Sequence, residues 1–349
     1  MKKNNFIDTI GNTPLMYLHS LSELTGCEIY AKAEFANPGG SVKDRAALGM
    51  IRDAEAKGRI KKGDLIVEGT AGNTGIGLAL IGNVLGYRTK FTVPSTQSQE
   101  KIDTIRGMGA EVVVVPPANY PDPANYRKVA ERIAIEENGY YINQFENESN
   151  YLQHYATTGP EIWNDTDGTI TSFACAMGSG GTLSGVGKYL KEKNPNIKIG
   201  MADPVGSAMH NYFTTGEAAI TPGDSITEGI GQGVVTANVR PAPVDHSFQL
   251  SDQVILNMVH YIVRKEGVFL GTSSGANLCA AYLMAKTLGP KNKVVTILCD
   301  SGQKYVSKVY NPTFLASKGL KIDFSEDHLF PVLDQHVSKN STAIRHQLS

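Results

Sequence analysis

The segment FANPGGSVKDRAALGMIRDAEAKG sets Lys43 just behind a proline-glycine turn, and Ser41 with Asp44 has the spacing of a capping box that opens a helix. Lys43 then falls in the first helical turn, where the positive end of the helix dipole favours its neutral amine. A neutral lysine is the nucleophile that imine chemistry requires. Taken alone, the same spacing also suits a solvated lysine on an ordinary helix.

Three glycine-rich segments and one strand end could complete a site. VEGTAGNTGIGLAL reads as a strand, a tight loop and a helix, with Thr70, Asn73 and Thr74 supplying polar side chains where loop amides can close around a carboxylate. A dinucleotide fingerprint is broken there, because Gly75 and Gly77 would need a glycine at position 80, where Leu80 stands. In MGSGGTLSG, Gly178, Ser179, Gly180, Gly181 and Thr182 can aim N–H groups and hydroxyls at one phosphate, yet no GxxxxGK[ST] pattern is present. LGTSSGANL brings Ser273 and Ser274 to a further strand end, with a plain helix N-cap as the alternative. Asn143 and Gln144 end GYYINQF, where a side-chain amide faces either a cleft or solvent. No histidine pair has HExxH spacing, so no metal site is expected.

The elements that must position these residues alternate in type. From about residue 64 the runs DLIVEGT, KFTVP, AEVVVVP and GYYINQF are separated by helical stretches, and a second series holds TITSFACAM, KIGMADP, VFLGTSSGA and KVVTILCD. Such alternation predicts an α/β fold of two lobes, each a mostly parallel sheet covered by helices, with ligands at the carboxyl ends of the strands. EGIGQGVVTANVRPAP reads as irregular, and the tail from LKIDFSEDHLF onward has weak periodicity.

Composition narrows the partners. The 349 residues carry a formal net charge of -1 with 19% charged residues, so no global field attracts nucleic acid or an anionic membrane. No apolar run reaches the length of a signal peptide or membrane span, which predicts a cytoplasmic location. Cys27, Cys175, Cys279 and Cys299 form no CxxC pair and read as buried, reduced thiols.

IGNTPL, NPGGSVKDR, GTAGNTGIGLA, GSGGT, EGIG and GTSSGA, in this order over about residues 6 to 315, resemble the fold-type II pyridoxal-phosphate (PLP) enzymes of the cysteine synthase and cystathionine β-synthase family. The resemblance implies twisted sheets arranged as in the tryptophan synthase β-subunit. It divides the chain into a smaller mobile lobe at 45–150, a larger PLP-binding lobe at 1–44 plus 151–320, and a C-terminal tail at 321–349.

By the same resemblance, Lys43 holds PLP as a Schiff base and later acts as general base. Asn73 bonds the cofactor's phenolic oxygen, Gly178, Ser179, Gly180, Gly181 and Thr182 hold its phosphate, and Ser273 meets its pyridine nitrogen. Thr70, Gly72, Asn73, Thr74 and Gln144 match the substrate-carboxylate site, and Gly229 of EGIG is a further substrate contact. A neutral serine leaves the ring nitrogen largely unprotonated and the ring a weaker electron sink, which favours expulsion of a β-substituent.

The implied activity is ping-pong synthesis of L-cysteine from O-acetyl-L-serine and sulfide through an α-aminoacrylate. Condensation of serine with homocysteine and release of sulfide from cysteine are the alternatives. A homodimer, and a serine acetyltransferase whose C-terminal tail enters the cleft, are the implied protein partners. Two departures bear on substrate. Ala71 stands where the family commonly has serine, and NPGGSVKDR is closer to the cystathionine β-synthase form. Against the latter, about 30 residues follow the match, so neither a regulatory domain after it nor a haem-binding extension before it is expected.

Overall fold

The computed structural model describes residues 5–70 and 72–337. Among the described residues, ten strands form two sheets. The smaller sheet takes β3 (Leu65–Gly69), β4 (Arg88–Pro94), β5 (Glu111–Val115) and β6 (Tyr140–Tyr141) in the order β5-β4-β3-β6, all parallel. The larger sheet takes β1 (Leu15–Tyr17), β2 (Glu28–Ala33), β7 (Ser172–Ala176), β8 (Lys198–Pro204), β9 (His246–Leu250) and β10 (Lys293–Leu298) in the order β1-β2-β10-β7-β8-β9. Only β1 runs antiparallel to its neighbour.

Parallel strands are covered on both faces, which is why β3 and β7 are buried at every residue and read as mainly apolar runs. One acid, Glu68, interrupts that pattern in β3 and is wholly buried. The helix Thr272–Leu288 lies in the middle of the larger lobe, buried at every residue from Thr272 to Ala285. Beyond its polar first turns, from Leu278 to Ala285, its sequence is accordingly apolar nearly all round.

Three local expectations are corrected. Asp44 does not complete a capping box: its carboxylate accepts from Gly39 N at 2.5 Å, while Ser41 Oγ accepts from Lys43 N at 3.2 Å. Ser41 is instead held by a bridge to Asp300, and Val42 N donates to Cys299 O at 2.9 Å, so the loop is fastened to the end of β10 before the helix Lys43–Ala56 begins. VFLG forms no strand, only a bridge between Leu270 and Ser301. The weakly periodic tail contains a helix, Glu326–Val337, whose Leu329, Phe330 and Leu333 pack into the main core beside Tyr261 and Tyr282.

Candidate active site

A cavity of about 570 Å³ opens where the loops of both sheets converge. Lys43, Thr70, Asn73, Thr74, Gln144, Gly178, Ser179, Gly180, Gly181, Thr182, Gly229 and Ser273 all line it. Gly72 sits behind this wall as N-cap of the helix Asn73–Leu85, with φ +118°, and a Cβ there would lie 2.6 Å from Lys101 Cδ. Ala71 lies outside the described residues. Asn143 is not on the cavity wall; it takes a left-handed turn, φ 54°, and its Oδ1 accepts from Glu146 N at 3.4 Å. Ser274 is also turned away, its Oγ accepting from Cys299 N at 2.9 Å.

Lys43 is half-buried, and loss of solvation lowers the proton affinity of its amine, opposed by Cys299, Cys175 and Asp300. A lysine nearer to neutral at physiological pH is a competent nucleophile and base. The helix dipole acts in the same sense.

Opposite Lys43, the turn after β7 leads into the helix Gly181–Lys193 with Gly180 as N-cap at φ +95°. The first N–H groups of that helix have no partner within it and face the cavity, the usual setting for an anion. Two packed loops make this cradle too tight for side chains: a Cβ on Gly180 would sit 2.6 Å from Asn238 O, and one on Gly178 would collide with Gly229 O. Behind the cradle, Asn150 Nδ2 donates to Ser179 Oγ at 2.9 Å, and His154 bridges Thr158 Oγ1 (2.8 Å) and Thr182 Oγ1 (3.3 Å). Burial, aided by Arg45 and Lys43, keeps the His154 ring neutral.

The third wall holds polar groups already fixed by others. Thr74 Oγ1 donates to Gln144 Oε1 at 2.7 Å, and Gln144 Nε2 donates to Glu68 Oε1 at 3.1 Å. Asn73 Nδ2 donates to Asp300 Oδ2 at 2.6 Å, and its Oδ1 accepts from Lys304 Nζ at 3.1 Å. One N–H of the Asn73 amide remains for a ligand. An amine, an anion cradle and an amide donor around one cavity fit an aldehyde that carries a phosphate and an anionic ring oxygen, which is the chemistry of PLP.

A family model described as pyridoxal-phosphate dependent enzyme matches residues 7–300. The chain belongs to the pyridoxal-phosphate dependent enzyme family. Cysteine synthase 1 of Emericella nidulans is 47% identical over 323 residues, covering 91% of this chain and 87% of that protein. Among solved structures, an O-acetylserine dependent cystathionine β-synthase from Helicobacter pylori superposes with TM-score 0.82 at 34% identity, covering 89% of this chain and all of that one. A hydrogen sulfide-producing enzyme from Fusobacterium nucleatum gives TM-score 0.79 at 36% identity, covering 87% and 100%. The α/β architecture, the PLP cofactor and the enzyme class expected from the motifs stand on these matches.

Sequence reasoning missed the residues that hold this PLP enzyme's site from behind. Glu68 had a signal, an acid inside an apolar strand. Asp300 had one too, a polar residue directly after β10, where ligand-facing loops begin. His154, Asn150 and Lys304 had none, because their roles depend on which helix faces the cradle.

Proposed function

We propose that the chain makes L-cysteine from O-acetyl-L-serine and sulfide. The observation that carries this reading concerns the leaving group. Among the described residues lining the cavity there is no histidine, and the one carboxylate, Glu228, accepts from Lys101 Nζ at 2.6 Å and from Lys308. Hydroxide leaves only with a proton donor, a part that falls here to the Lys43 ammonium alone, whereas acetate leaves unaided. The name carried by the Emericella relative agrees.

When bound, PLP supplies an electron-withdrawing ring that acidifies the α-carbon of an attached amino acid. The protein's own part is positional. Lys43 holds the cofactor, yields it to the substrate amine, and with its freed Nζ takes the α-proton. Gly178, Ser179, Gly180, Gly181 and Thr182 hold the phosphate, Asn73 the ring oxygen and Ser273 the ring nitrogen. Thr70, Gly72, Asn73, Thr74 and Gln144 hold the substrate carboxylate, with Gly229 beside the substrate. Glu68 and Thr74 hold the Gln144 amide in place, and because its Nε2 also donates to Gly69 O at 3.3 Å, binding a carboxylate exchanges one of these bonds. Closure of the lobe at 45–150 over the larger lobe excludes water.

The same reading carries a cytoplasmic homodimer and a cleft that admits a serine acetyltransferase tail. Its support is the family resemblance, and among the described residues no helix is long and apolar enough to cross a membrane. The test is a product assay offering O-acetylserine, O-phosphoserine and serine, each with sulfide or homocysteine. O-acetylserine with sulfide is expected to give the highest kcat/KM, with cysteine as product. Faster turnover of serine with homocysteine would overturn the cysteine synthase reading.

A further inference from the structure

Among the described residues lining the cavity, three carry a basic side chain: Lys43, Lys101 and Arg127. Lys43 is the amine assigned to PLP, and Lys101 is committed to the Glu228 carboxylate at 2.6 Å. Arg127 has no carboxylate. Among the described residues its guanidinium makes two hydrogen bonds, from Nε to the Tyr126 hydroxyl at 3.2 Å and from Nη2 to Gln232 Oε1 at 2.6 Å. A guanidinium has five N–H donors, so three remain. Its central carbon lies 3.2 Å from the ring centroid of Phe145, the residue after Gln144. Such a contact engages a face of the guanidinium and leaves its N–H edge for a ligand.

Local structure does not account for this cation. Arg127 is the second residue of the helix Tyr126–Glu136, where the positive end of the helix dipole disfavours a positive charge. Glu68 feels the guanidinium, but its buried carboxyl, pushed up to about 8, holds its proton at neutral pH. Gln232 adds a second donor. Because a guanidinium only donates, the Gln232 atom that meets it is the oxygen, and Nε2 is left without a partner among the described residues. Gln232 is itself buried and lines the cavity. A planar fork and an amide N–H side by side, both short of acceptors, match the geometry of a carboxylate. The phosphate of PLP and the substrate α-carboxylate already have their own proposed cradles, so the group that fits here is a third anion.

We propose that Arg127 and Gln232 form a site for a second carboxylate: the acetate released from O-acetylserine, or the carboxylate of a small acidic thiol that replaces it. The site rests on the β-replacement reading above and extends it to the group that leaves and the group that enters. When the Cβ–O bond breaks, its electron pair departs on the acetate oxygen and the α-proton passes to Lys43 Nζ. Acetate is thus set free as an anion, and the open guanidinium edge receives it. In the second half, a thiolate sulfur supplies the pair for the new Cβ–S bond while the proton on Lys43 returns to Cα. A thiol that bears a carboxylate keeps the contact with Arg127; an uncharged thiol does not.

The test uses holoenzyme of the wild type, Arg127→Gln and Gln232→Glu, with PLP content and circular dichroism checked first. Acetate is titrated by calorimetry in excess L-alanine, whose α-carboxylate fills the Gln144 site and which has no β-leaving group. Arg127→Gln is expected to weaken acetate about tenfold or more, the worth of a charge-assisted hydrogen bond. Gln232→Glu is expected to weaken it similarly, because the new carboxylate pairs with Arg127 and fills the site from within. A purely structural tie between Arg127 and position 232 would survive that change, so Gln232→Glu separates the two roles. The second measurement is the ratio of kcat/KM for mercaptoacetate to that for 2-mercaptoethanol, with O-acetylserine as partner. This ratio is expected to fall about tenfold in both variants. A fall in acetate affinity alone assigns the site to the leaving group, and a fall in the ratio alone assigns it to the sulfur donor. Wild-type behaviour of either variant in both measurements overturns the site. If O-acetylserine is not turned over at all, the cysteine synthase reading fails, and the acetate titration still decides the role of Arg127.

Discussion

Asn73 and Asp300, 227 residues apart in the chain, meet at 2.6 Å behind the cavity wall, so the end of β10 in the larger sheet orients the first helical residue after β3 in the smaller one. Tyr305 also donates to Asp300 Oδ2, at 2.7 Å, leaving that oxygen doubly engaged. If Asn73 contacts the cofactor's ring oxygen, Asp300 sets the angle of that contact. Asp300→Ala is expected to weaken PLP binding by roughly tenfold, the worth of a hydrogen bond to a charged group, and Asp300→Asn by less, since it keeps an acceptor. Equilibrium dialysis of apoenzyme against PLP reads the difference. Wild-type affinity in Asp300→Ala would remove this residue from the site.

Glu68 gives the site a pH limit. Burial pushes its carboxyl up to about 8, against which the bonds from Gln144 act. Near pH 7 it is mostly protonated; above about 8 it ionises and places a negative charge behind Gln144, where the substrate carboxylate is proposed to bind. KM for O-acetylserine is therefore expected to rise above pH 8 in the wild type and to stay flatter in Glu68→Gln. The stability sign is the same. The folded state holds this proton more tightly than the unfolded chain, whose carboxyl titrates near 4.5, so the contribution is full below about 4.5 and is lost as pH rises through about 8. Melting temperature measured from pH 5 to 9 should fall less steeply in the variant, and parallel curves would contradict the assignment.

Gly180 tests the anion cradle. Its φ of +95° strains any side chain, and the 2.6 Å approach to Asn238 O leaves no space for one. Gly180→Val is expected to yield largely apo protein, counted as PLP released per chain in alkali, with Gly180→Ala intermediate. Circular dichroism separates this from global unfolding. Full occupancy at low PLP in Gly180→Val would argue against the phosphate role.

Much of this was legible in the sequence because parallel strands, glycine turns and helix starts are local signals. The runs LIVEG and SFACA announced buried strands, and the loops after them announced the cavity walls. What stayed hidden depends on contacts between distant segments. Asp44 matched a capping box by spacing, but the bridge from Ser41 to Asp300 drew the loop into another geometry. The tail helix looked weakly periodic because only Leu329, Phe330 and Leu333 of its length are buried. Cys299 and Asn277 gave no hint of their contact at 3.2 Å, since it needs β10 to lie beside the central helix.

The central claim, that Lys43 is the residue that binds PLP covalently, is tested most directly by trapping. Holoenzyme is reduced with borohydride, digested, and the phosphopyridoxyl mass located by peptide sequencing, in wild type and in Lys43→Ala. The label is expected on Lys43 in the wild type and on no peptide of the variant, even where the variant still retains PLP non-covalently. A label on another lysine close to the cavity, such as Lys101, Lys304 or Lys308, or an undiminished label in Lys43→Ala, would contradict the account.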